Sequence, residues 1–163
     1  MIDTSHNRAC WLLQFCERDL TQLTDQALGQ LQGEWVEFQR GRWKWDRPPA
    51  QSRLTQWQQA VIAKLDELKN GQSWSLDCGL WRQLALANGE VHVERNTYAR
   101  AHDDKHLVRV VDTLEAVSND LRVCAREKCG RLFVRTKRQA YCSARCRGTE
   151  GTQRYRKKKS KLP

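Results

Sequence analysis

The chain of 163 residues carries 29 Lys and Arg against 19 Asp and Glu, a net charge of +10, which fits one modest domain with a small appendage and excludes a large multidomain enzyme. Its longest unbroken apolar run, Ala9 to Leu13, is far short of the roughly 20 residues that cross a bilayer, so no membrane-spanning helix is expected. The start of the chain lacks the ordered segments of a secretory leader, so a cytoplasmic location is expected, where seven cysteines read as thiols and metal ligands rather than a disulfide framework.

Residues 1–70 read as helices. A short one from about Asn7 to Leu20 puts Leu12, Phe15 and Cys16 on one side. From about Thr24 to Arg40, Leu28, Leu31, Trp35 and Phe38 recur at steps of three and four, the stripe of an amphipathic helix. Arg47, Pro48, Pro49 and Ala50 interrupt the chain, because proline lacks a donor and turns its predecessor away from helical geometry. Leu54, Trp57, Val61, Leu65 and Leu68 then define a third helix, with Ser52 as the expected cap and Asn70 and Gly71 as the stop.

Beyond Gly71 the period changes to two, and Asn88 with Gly89 supplies a tight hairpin turn. The expected register places Ala87 opposite Glu90, Leu86 opposite Val91, Ala85 opposite His92 and Leu84 opposite Val93. From about His102 to Leu121 a helical period returns in Leu107, Val110, Val111, Leu114, Val117 and Leu121.

Charge divides the chain unevenly. Residues 1–119 hold 14 basic and 16 acidic side chains, a net of −2, whereas residues 120–163 hold 15 basic and three acidic ones, a net of +12. A basic field this concentrated attracts a polyanion and gains free energy by releasing its counterions.

Within this basic segment lie two cysteine pairs, Cys124 with Cys129 and Cys142 with Cys146, separated by a 12-residue loop. Four soft sulfur ligands in two local pairs are the pattern of a tetrahedral structural zinc ion. Gly130 allows the tight backbone of a knuckle, and the spacing of Cys142 and Cys146 puts both sulfurs on one face at a helix start. Leu132, Phe133 and Val134 with Ala140 and Tyr141 are expected to form a small hairpin over the metal, in a treble-clef layout. Zinc supplies on the order of 10 kcal/mol to such segments, so its loss is expected to unfold the finger and leave the helices largely intact.

Residues 121–158, through Cys124-Ala-Arg-Glu-Lys-Cys129-Gly-Arg-Leu-Phe-Val, Tyr141-Cys142-Ser143 and Cys146, resemble the CGNR-type zinc finger of bacterial proteins described as transcriptional regulators. The resemblance implies a treble-clef finger behind an N-terminal helical region of the ABATE type, with one structural zinc ion on Cys124, Cys129, Cys142 and Cys146. Here Cys146 is followed by Arg147, Gly148 and Thr149 in place of the family's Gly-Asn-Arg, and Gly151 weakens the helix expected after the last ligand.

On this reading Arg145, Arg147, Arg154 and Arg156 project from the finger's helix toward phosphates or a groove, while Lys157, Lys158, Lys159 and Lys161 add nonspecific phosphate contacts. One finger binds weakly, so a homodimer through the N-terminal region or a specificity-giving partner is expected. Enzymatic readings find little support. All four histidines precede residue 107, so none lies in the finger, and Cys78 with His92 lacks a third member. His102 and His106 sit among Asp103, Asp104 and Lys105, a solvated helix start, and Cys10 and Cys16 fall on different sides of a helix. Trp43, Lys44 and Trp45 beside Arg40, Arg42 and Arg47 could stack on single-stranded bases, although large rings more often fill a core.

The expected architecture is therefore a mostly α N-terminal domain with a small β-hairpin over 1–120, a treble-clef finger over 121–153, and a basic, partly disordered tail over 154–163. The expected function is DNA binding in transcription regulation, without catalytic activity; the alternative is an RNA-binding or protein-interaction adaptor built on a structural zinc finger.

Overall fold

A computed structural model describes residues 4–40, 47–70, 72, 74–77, 81–87, 90–96 and 105–159. Helix α1, Ser5–Glu17, starts where Thr4 Oγ1 accepts the Asn7 N–H at 3.1 Å, and it buries Ala9, Trp11, Leu12 and Phe15. After a 3-10 turn at Leu20–Gln22, helix α2, Asp25–Phe38, is capped by Thr24 in the same way and buries Leu31, Trp35 and Phe38. Helix α3, Gln51–Lys69, buries Leu54, Trp57, Gln58, Val61, Leu65 and Leu68. Its N-cap is Ala50, without a side-chain bond, and Ser52 lies inside the helix. The boundary is set by Pro48 and Pro49, which leave the chain extended.

The three helices meet through aromatic rings. Trp35 stacks on Trp57 at a centroid distance of 5.0 Å, Trp11 on Phe38 at 4.9 Å and Trp11 on Phe15 at 5.4 Å. The buried Gln58 amide donates to the carbonyls of Phe15 (2.6 Å) and Arg18 (2.8 Å), which ties α3 to the end of α1. On the rim, Glu34 accepts from Trp11 Nε1 at 2.9 Å and from Arg18 at 2.8 Å, which joins α1 to α2.

Strands β1 (Trp74–Asp77), β2 (Trp81–Ala87) and β3 (Glu90–Asn96) form an antiparallel meander. The four expected pairings of the hairpin are all present; its turn, Asn88 and Gly89, lies outside the described residues, as do Trp43–Trp45, Cys78 and His102. Helix α4, Lys105–Ala116, packs Leu107, Val110, Val111 and Leu114 into the core. It stops before the expected Leu121, because Ser118, Asn119 and Asp120 favour turns over helix and the chain reverses there.

Leu121 instead opens β4 (Leu121–Val123), which pairs with β3 at Glu90–Arg122 and with β5 (Leu132–Val134) along its whole length. The small hairpin is thus the centre of a five-stranded antiparallel sheet in the order β1-β2-β3-β4-β5. Helix α5, Ala144–Lys159, completes the described chain. It continues through Gly148 and Gly151 and six residues into the segment expected to be a partly disordered tail.

The last two strands belong to two cores. Leu121, Leu132 and Val134 join the helical core, whereas Phe133 packs with Cys124, Cys146 and Tyr141. Alternation along β5 produces this division, since successive side chains leave opposite faces of a strand.

Candidate metal centre

Three chain segments bring the four cysteines together. Cys124 follows β4 directly, and its N–H donates to the Arg131 carbonyl at 2.8 Å, extending the β4–β5 ladder by one bond. Between them the chain makes a knuckle, with the Cys129 N–H bonded to the Arg126 carbonyl at 2.9 Å and Gly130 in the left-handed region at φ +58°. A side chain at position 130 would meet no neighbour, so it is the backbone angle that calls for glycine. The Ala125 N–H donates to the Ala140 carbonyl at 2.9 Å, which lays the approach to Cys142 beside the knuckle. Ser143 then caps α5 through Oγ, accepting the Cys146 N–H at 3.2 Å, and Cys146 lies in the first turn.

The sulfur separations are 3.7 Å for Cys129–Cys142, 3.6 Å for Cys142–Cys146 and 3.7 Å for Cys129–Cys146, and all four sulfurs lie within 4.8 Å of one another. These distances are far beyond the roughly 2.05 Å of a disulfide. The three shorter separations match the edges of a tetrahedron, because metal–sulfur bonds of about 2.3 Å place sulfurs about 3.8 Å apart. The four cysteines can therefore hold a metal ion.

The surroundings suit a set of thiolates. The Cys142 N–H points to Cys124 Sγ at 3.5 Å, and Arg126 Nη1 stands 3.9 Å from Cys146 Sγ. A divalent ion with four thiolates is an anion overall, so amide donors and a guanidinium stabilise it. The four sulfurs differ in their surroundings. Burial raises the Cys129 and Cys142 thiols, while the Ser143 hydroxyl, ahead of Arg126, lowers Cys146. A bound cation would draw all four into the thiolate form.

Several expectations change with this geometry. Leu132–Val134 pairs with β4 and does not form a hairpin with Ala140 and Tyr141. Only Phe133 of that strand covers the cysteines, joined by Tyr141. Arg145 and Arg147 are exposed on the first turns of α5, and Lys159 is exposed at its end. Arg154, Arg156, Lys157 and Lys158 lie on the same helix, described by backbone alone, and Lys161 lies outside the described residues. The spacing gave no sign of Arg126 beside Cys146, although a cation inside a thiolate knuckle is chemically expected. Cys10 and Cys16 stay apart from the cluster on α1, and burial raises both thiols, Cys16 to about 12. Such thiols are poor nucleophiles at neutral pH. None of the described helices is long and apolar enough to cross a membrane.

Protein-family profiles, curated proteins and solved structures contain no match to this chain.

Proposed function

We propose that this is a zinc-stabilised nucleic-acid-binding protein, and that it acts on DNA as a transcriptional regulator. The observation that carries the reading is the attachment of a basic helix to a four-sulfur centre. Cys142 and Cys146 flank the cap of α5, so the metal would fix in space the helix that carries Arg145, Arg147 and the basic run to Lys159. Positive charge held on a rigid helix beside a small finger is suited to phosphate backbones and groove edges.

Zinc is the metal we assign, because a cluster of four cysteine sulfurs matches its preference. Its role is structural. Four protein sulfurs fill the coordination sphere and leave no position for substrate or activated water, which argues against an enzyme. The order of knuckle, strand and capped helix supports a treble clef, and with the motif resemblance it supports a CGNR-type finger. One finger has little contact area for sequence-specific affinity, so pairing of two copies through the N-terminal region belongs to this reading.

The test is selection from a random duplex DNA library by the zinc-loaded protein at about physiological salt, where nonspecific phosphate binding is weakened. A recurrent enriched motif, lost on chelation, is the expected result. Absence of enrichment, with binding that fades as salt rises, would overturn sequence-specific DNA recognition and leave RNA or an acidic protein as the partner.

A further inference from the structure

Residues 128–149 contain no Asp or Glu and seven Lys or Arg. Two of these cations are matched from outside the segment, Arg131 by Glu17 at 3.0 Å and Arg135 by Asp120 at 3.6 Å. Among the described residues, no carboxylate meets Lys137, Arg138 or Arg147. These three line one open cavity of about 550 Å³, between the loop 136–140 and the start of α5. Gln139, Tyr141 and Ser143 line it as well, and among the described residues no acidic side chain does.

The loop that carries Lys137 and Arg138 is held in shape. Gln139 Oε1 accepts from the Thr136 N–H at 3.2 Å and from its hydroxyl at 2.9 Å. Tyr141 is half-buried and touches both the cysteine core and the cavity, which ties the cavity wall to the metal centre. The volume falls within the roughly 300–1,000 Å³ typical of sites for small organic groups, and exceeds what a lone phosphate would fill.

Uncompensated cations, an aromatic ring and room for both a phosphate and a planar group describe one kind of ligand. A carboxylate of a peptide would answer the cations and leave the ring unused. An unstacked nucleotide would use all three, because any base offers a π-face to an aromatic side chain. We infer that this cavity seats one unstacked nucleotide of a nucleic-acid strand, with its phosphate at Lys137, Arg138 and Arg147 and its base against Tyr141. The inference rests on the nucleic-acid reading above and adds to it the state of the strand: single, or a duplex from which one nucleotide is displaced.

The experiment uses the full-length, zinc-loaded protein and labelled oligonucleotides of one sequence in three forms: a single strand, a duplex with one bulged nucleotide and a blunt duplex. The single strand and the bulged duplex are expected to bind about tenfold more tightly than the blunt duplex, a factor in keeping with one base stacked on an aromatic ring. The double variant Lys137→Glu and Arg138→Glu should abolish that preference, and Tyr141→Leu should reduce it while retaining one equivalent of metal. Charge reversal at Lys158 and Lys159, at the far end of α5, should weaken all three forms and keep the preference. If Tyr141→Leu loses metal, the double charge variant decides alone, since neither of its positions is a ligand. Equal binding of the three forms by the wild type, or a preference that survives the double variant, overturns the cavity's role and leaves nucleic-acid binding standing. A wild type that binds no oligonucleotide overturns both.

Discussion

Leu132 and Phe133 are consecutive on β5 and belong to different cores: Leu132 joins the helical core, and Phe133 packs with Cys124 and Cys146. The two substitutions should therefore fail differently. Leu132→Ala is expected to cost about 2–5 kcal/mol of global stability, seen as a lower denaturation midpoint with the metal retained. Phe133→Ala should act on the metal centre first, weakening metal retention against a competing chelator by at least tenfold. Equal metal loss in both variants would show that the strand does not separate the two cores.

Removing the metal should reach further than the finger. β4 and β5 contribute Leu121, Leu132 and Val134 to the helical core, and the Cys124 N–H bond to Arg131 continues their ladder into the cysteine knuckle. Chelation, or Cys142→Ser, is expected to release the ion and also lower the melting temperature of the helices by several degrees, followed by far-ultraviolet circular dichroism with metal content measured in parallel. An unchanged helical melt would restore the simpler expectation of an independent finger.

Glu34 gives the helical region a pH dependence. Burial alone would raise its carboxyl, but hydrogen bonds from Trp11, Gln30 and Arg18 outweigh that effect and hold it below the usual carboxylate range. A lowered folded-state value stabilises the fold above the unfolded-state value, and the contribution disappears as pH falls through the folded-state value. Glu34→Gln should accordingly cost less than about 1 kcal/mol near neutrality, since the site is partly open to solvent, and nothing in strong acid. Urea midpoints of the two proteins between pH 7 and pH 3 should converge on acidification; a constant gap would mean that the charge is not what matters.

The basic run at the end of α5 should reveal itself through salt. Deleting residues 154–163 removes Arg154, Arg156, Lys157, Lys158, Lys159 and Lys161. If each engages one duplex phosphate, the slope of log affinity against log salt falls by about five. Titrations of wild type and truncation at several salt concentrations measure it, and an unchanged slope would reduce this stretch to a solubilising end.

Much of this was legible in the sequence, for identifiable reasons. The stripes on α2 and α3 repeat at helical spacing, and the register from Ala87–Glu90 to Leu84–Val93 follows from alternation about one turn. The four-cysteine cluster was legible because each pair is local in the sequence. What escaped depends on tertiary contacts. β5 has only three residues, all apolar and buried, so no polar–apolar pattern betrays which core each would join. α5 crosses two glycines that propensity counts against. The Ser143 cap between Cys142 and Cys146 nevertheless starts the helix from a fixed point. Arg126 reaches Cys146 from the knuckle, and the cavity at Lys137 and Arg138 arises where the loop 136–140 folds back; no periodicity encodes either.

The length of α5 sets a scale. From Arg145 to Lys159 a helical rise of about 1.5 Å per residue covers roughly 21 Å, comparable to the axial length of about six base pairs at 3.4 Å each. Because Cys146 belongs to the cysteine cluster, the helix is a ruler with its zero at the four sulfurs. Each basic residue then has an assigned distance from the cysteine knuckle, so inserting a single residue near Gly151 would rotate every later cation by about 100° about the helix axis without altering the net charge.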